Sequence, residues 1–189
     1  MRRTICLAAV ALLAAGPALA HPGHEASGFL HPFSGLDHLL AMVGVGLWAG
    51  LLAERKPAAA VLVPGAFLAM MAIGAAAGFA GIKLPLVEAA ILGSVFVIGG
   101  LLIGAVRLPV AWAMAVVGLF AAFHGYAHAL EAPSAAAGGY ILGFLAATAL
   151  LQGAGLALGF GVRRAVGDLG VRALGGVVLA AGAVVLITN

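Results

Sequence analysis

Two histidine-bearing stretches interrupt an otherwise apolar chain: HPFSGLDH at residues 31–38 and FHGYAH at residues 123–128. Ionisable side chains are costly in hydrocarbon, so a bundle that keeps them usually uses them on a substrate or an ion. Neutral imidazole suits nickel, copper, zinc and iron, and a neighbouring carboxylate adds charge and an oxygen donor. The candidate ligand set is therefore His31, Asp37, His38, His124, His128 and Glu131. His124 and His128 stand at i, i+4, the spacing of paired metal ligands on one helix face. Glu131 follows three residues on, placed either to ligate or to hold an imidazole in its tautomer. His31 and His38 stand seven positions apart, which puts both on nearly one stripe of a helix entered through Pro32.

Four further residues carry weaker readings. Met42 continues the His31–His38 stripe by one turn and reads as packing before it reads as a ligand. Glu88 is either an interfacial carboxylate or a further member of the cluster. His21 and His24 are either a metal-capturing tip or part of a plain polar terminus. Gln152 and Thr148, inside an apolar stretch, read as helix-packing hydrogen-bond groups before they read as pathway lining.

The elements that must position these residues are membrane helices. Hydrophobic residues make up 65% of the 189 and charged residues 8%, against roughly 25% charged in soluble domains. Mean hydropathy is +1.22. The sequence pI near 9.6 comes from scattered Lys and Arg rather than a basic patch, so nucleic-acid binding is excluded. Residues 1–20 read as a cleavable signal peptide: Arg2 and Arg3, an apolar run, then Ala18-Leu19-Ala20 as the cleavage site. The one cysteine, Cys6, falls within it, so the mature chain is expected to have neither disulfide nor thiol ligand.

The expected fold is an all-α integral membrane protein, a compact bundle of six transmembrane helices over residues 33–189. It follows a periplasmic His-containing N-terminus at 21–32. Spans of about 20 residues are expected near 33–53, 58–80, 85–106, 109–130, 138–160 and 167–187. Gly46/Gly50, Gly74/Gly78, Gly100/Gly104 and Gly155/Gly159 are small-residue pairs that let helices approach closely. With the mature N-terminus outside, Arg55, Lys56, Arg107, Arg163, Arg164 and Arg172 fall on the cytoplasmic side and only Lys83 outside. That is the positive-inside pattern, and it places both mature termini in the periplasm. It also brings the start of span one and the end of span four to the same face.

The two histidine stretches resemble the signatures of the HupE/UreJ family of nickel permeases. HPFSGLDHLLAMVGVGLWA is similar to its first, with His31, Asp37 and His38 at the core. FHGYAHALE is similar to its second, matching at Phe123, His124, Gly125, Ala127, His128 and Glu131 and departing at Ala129, where the family usually has glycine. The resemblance covers nearly the whole chain. It implies a secondary transporter in a bacterial inner membrane that takes up Ni²⁺ or Co²⁺ from the periplasm. Its partners would be the lipid bilayer and nickel-enzyme maturation proteins serving hydrogenase or urease. No resident cofactor is expected, and no enzyme activity.

Imidazole must be neutral to bind a metal, so uptake is expected to fall as pH drops through about 6.5. No Walker-type segment is present, so nucleotide hydrolysis by this chain is not expected. Two readings compete: a non-transporting metal sensor or chaperone, and a haem-binding membrane electron carrier with axial histidines.

Overall fold

The computed structural model describes residues 28–133 and 137–188. The expected signal segment, His21 and His24 lie outside the described residues. A 3-10 turn, His31–Phe33, precedes six helices: α1 (Leu36–Ala53), α2 (Ala59–Phe79), α3 (Val87–Ile103), α4 (Val110–Glu131), α5 (Ala137–Val166) and α6 (Asp168–Thr188). Five of them are long and apolar enough to cross a membrane, and α3, at 17 residues, is the shorter apolar one. The chain is a multi-pass, all-helical membrane protein. Its apolar faces need no aqueous partner: Val61, Trp112, Leu142 and Ile187 all project outward, as lipid-facing residues do.

Glycine decides which helices touch. A Cβ on Gly46 would run into the backbone of Gln152, and one on Gly155 into that of Val43, so α1 and α5 pack with backbones nearly in contact. Gly74 meets the backbone of Ala122, and Gly125 that of Met71, which joins α2 to α4 in the same way. Successive contacts, Gly46 with Gln152 and Gly50 with Leu156 on the first pair, Met70 with Gly118, Gly74 with Ala122 and Gly78 with Tyr126 on the second, rise together in number, so each pair runs parallel. Gly99 lies on Leu179 and Gly175 on Ile103, so α3 and α6 run antiparallel. Three of the four expected glycine pairs thus sit at helix interfaces. Gly100 is the departure: nothing lies within 4 Å of a Cβ there, because it faces away from the bundle.

Two boundaries differ from the sequence expectation. The first helix begins at Leu36 rather than 33, after Gly35 adopts extended backbone (φ −97°, ψ 115°). His31 therefore rides on its own 3-10 turn, and the single stripe joining it to His38 is replaced by two segments. The fifth helix continues past 160 to Val166, and Gly167, at φ +68°, makes the turn into α6. Arg163 and Arg164 looked like a loop, but they occupy the helix's last turn, where cations suit the exposed carbonyls.

An ion-pair network explains that extension. Arg107 Nη2 donates to Glu54 Oε2 at 3.0 Å and to Asp168 Oδ2 at 2.7 Å. Arg163 Nε donates to Asp168 Oδ1 at 2.9 Å, and its Nη2 also donates to Glu54. The network ties together the ends of α1, α3 and α5 and the start of α6. Hydrogen bonds from Arg163 and Arg107 hold the Glu54 carboxyl below its ordinary 4.5. A carboxyl lowered in the folded state adds stability above 4.5 that is lost as pH falls through the lowered value, although exposure and screening keep this contribution small. The histidines lie at the opposite end of the bundle.

The glycine contacts make opposite predictions at two positions. Gly125→Ala should lower the thermal midpoint in detergent, with an overpacking cost of about 1–3 kcal/mol. Gly100→Ala should be neutral or stabilising by up to about 1 kcal/mol, the ordinary helix gain over glycine. Equal melting of the two variants would contradict the close approach of α2 and α4.

Candidate metal site

The site is assembled from the 3-10 turn, the first turn of α1, the last two turns of α4 and the first turns of α5. Gly35 matters at once: a Cβ there would sit 3.0 Å from Asp37 Oδ1 and 3.1 Å from His38 Nδ1, obstructing their bond. With glycine, Asp37 Oδ1 accepts both the His38 backbone N–H (2.8 Å) and the His38 ring Nδ1–H (2.9 Å). A carboxylate only accepts, so the hydrogen resides on Nδ1 and the Nε2 lone pair is free. Asp37 is thus placed as the partner that orients His38, as carboxylates behind metal-ligating imidazoles commonly are.

His124 is set by the same logic with a different partner. Its Nδ1 lies 3.0 Å from the Phe120 carbonyl oxygen, one turn back on α4. A carbonyl also only accepts, which again leaves Nε2 as the free donor atom to a metal. His124 and His128 are both fully buried. Neither His38 Nε2, His124 Nε2 nor either nitrogen of His128 has a hydrogen-bond partner among the described residues.

The rings converge. His38 lies 5.1 Å from His124 and 4.8 Å from His128, centroid to centroid. His128 lies 4.9 Å from His31 and stacks on Phe144 at 4.6 Å. Near the surface, Glu131 Oε2 is 2.8 Å from His31 Nε2 and 3.7 Å from His128 Nδ1. One ligand atom from each of His31, His128 and Glu131 falls within 4.8 Å of the others. Two layers result: an outer one in which the solvent-reaching His31 and Glu131 meet the buried His128, and an inner one of His38, His124 and His128. His128 belongs to both.

Of the sequence candidates, then, His31, Asp37, His38, His124, His128 and Glu131 meet at one end of the bundle. Glu88 does not join them; it is exposed in the first turn of α3. Met42 lies one turn below His38, where its sulfur accepts a hydrogen bond from Thr148 (3.3 Å). Tyr140 and Phe144 were missed. Tyr140 lies 5.8 Å from His31 with its hydroxyl buried and unpartnered. The available signal was a tyrosine near the start of an apolar span, since a buried hydroxyl wants a partner.

Residues 8–185 match the family described as HupE / UreJ protein. The chain belongs to the HupE/UreJ family. Protein HupE of Rhizobium leguminosarum bv. viciae is 46% identical over 194 residues, covering 97% of this chain and 96% of that one. No solved structure matches the chain. The departure at Ala129 is accommodated locally: its methyl packs against Gly78 on α2, which has no Cβ to oppose it.

The orienting role of Asp37 is testable. Asp37→Asn can present an amide donor to Nδ1 and favour the wrong tautomer, so nickel affinity measured by calorimetry should fall about 10–100-fold with the fold intact. An unchanged affinity would contradict that role.

Proposed function

We propose that this protein is a secondary transporter that takes up Ni²⁺, or Co²⁺, from the periplasm across a bacterial inner membrane and supplies nickel enzymes such as hydrogenase or urease. The observation that carries the reading is the set of buried imidazole nitrogens left unpartnered around one point. Two of these rings are fixed so that the free nitrogen is Nε2. Nitrogen donors with one or two carboxylates suit a borderline divalent ion and discriminate against Mg²⁺ and Ca²⁺, which prefer all-oxygen shells.

The layered arrangement supports capture followed by inward transfer. Glu131 and His31 are open to solvent and meet the hydrated ion, and His128 hands it to His38 and His124. The side that faces the periplasm is the histidine end, by the distribution of Lys and Arg. Ring contacts of 4.8–5.1 Å among three imidazoles argue against a haem site, because axial ligands must stand apart on either side of a macrocycle.

Radioactive nickel uptake into proteoliposomes is the test. Uptake should saturate and be competed by Co²⁺ but not by Mg²⁺. An alkaline phosphatase fusion after Thr188 should be active if the C-terminus is periplasmic. Tight nickel binding without accumulation above protein-free vesicles would replace the transporter by a membrane metal sensor or chaperone.

A further inference from the structure

Below the histidines the bundle holds a second polar group that the capture site does not use. Thr148, on α5, is fully buried, and its hydroxyl lies 3.3 Å from the sulfur of Met42 and 3.7 Å from that of Met71. Both methionines are themselves fully buried. One hydroxyl hydrogen cannot satisfy both sulfurs, and three polarisable or oxygen donors from α1, α2 and α5 therefore face one another. One turn further along α5 is Gln152, 1% exposed, with neither its amide nitrogen nor its amide oxygen partnered among the described residues. Burying such groups without a partner is costly. The interior of a membrane bundle gains no packing from holding the Gln152 amide unpaired.

Their placement follows the helices inward. On α1, Met42 is one turn past His38, and Gly46, one turn further, lies against the backbone of Gln152. On α5 the buried residues Tyr140, Phe144, Thr148 and Gln152 recur every four positions. Phe144 stacks on His128 and Tyr140 lies beside His31, so this stripe starts at the capture site and leads away from it. Each turn advances about 5.4 Å.

We propose that Met42, Met71, Thr148 and Gln152 form a second metal station, one that takes a partly dehydrated borderline divalent cation after it leaves the histidines. The station rests on the transport reading. Every donor in it is neutral: two thioethers, a hydroxyl and an amide carbonyl. Such a set binds more weakly than imidazole with carboxylate, and conduction requires sites weak enough to release. Thioethers also favour softer transition ions over hard ones. The station thus adds a selectivity step that Mg²⁺ does not pass.

The experiment pairs two measurements on the full-length purified protein and on Gln152→Leu, Met42→Leu and the double variant. Equilibrium dialysis with radioactive Ni²⁺ reads binding, and proteoliposomes read uptake. The native protein should show a tight and a weak class of bound Ni²⁺. Each single change should weaken the second class by roughly tenfold or more and slow uptake comparably, as for loss of a ligand at a transit site. The tight class should stay within about twofold of native, since its histidines are untouched; this also reports that the variant is folded. A single class in the native protein, a weak class that survives in the double variant, or loss of both classes together in Gln152→Leu would each overturn the station. Two classes that respond as expected in a protein that passes no nickel would leave the station standing and overturn the transporter.

Discussion

Burying a hydrogen-bonding atom without a partner costs about 1–3 kcal/mol, and this protein gathers four such imidazole nitrogens at one end of its bundle: His38 Nε2, His124 Nε2 and both nitrogens of His128. Much of the surrounding structure serves to hold them there. Asp37 and the Phe120 carbonyl fix two tautomers. Phe144 fixes the plane of His128 by stacking. The glycine contacts of α2 with α4 bring the histidine-bearing helix into register, with Gly125 lying between His124 and His128 where the two backbones nearly touch. Nitrogens held this way are placed to meet an electron-pair acceptor.

The two ends of the bundle handle charge in opposite ways. At the far end, Glu54 and Asp168 are each bonded to Arg107 and Arg163, so their carboxylates are already neutralised. They offer a metal ion no competing sink. At the histidine end no arginine lies among the described site residues, and the side chains paired with the carboxylates of Asp37 and Glu131 are imidazoles. Positive charge brought in by an ion is therefore welcome at one end and redundant at the other. The same ionic network clamps α1, α3, α5 and α6, so rigidity at one end supports the geometry of the other.

Much of this was legible in the sequence because the bilayer allows so few solutions. Apolar runs of about 20 residues can only be helices, and six helices are found close to the expected spans. The convergence of His31, His38, His124, His128 and Glu131 followed from counting crossings, since an odd and an even span meet at the same face at their start and end. What escaped was local. A helix start at Leu36 depends on the extended Gly35, which periodicity does not register. The continuation of α5 through Arg163 depends on partners at Glu54 and Asp168, far off in sequence. Tyr140 became notable only when its neighbours were seen to leave its hydroxyl unpartnered, Gln152 lacks the packing hydrogen bond expected of it among the described residues, and Glu88 stands exposed on α3.

The central claim is that imidazoles from separate segments of the chain share one metal ion. X-ray absorption at the nickel edge of the loaded protein tests it most directly. The account predicts the outer-shell scattering of several imidazole rings together with an oxygen donor. That imidazole signal should weaken on His128→Ala far more than the removal of one ring would produce, because His128 joins both layers of the site. A spectrum of oxygen ligands alone, or one that His128→Ala leaves unchanged, would contradict it.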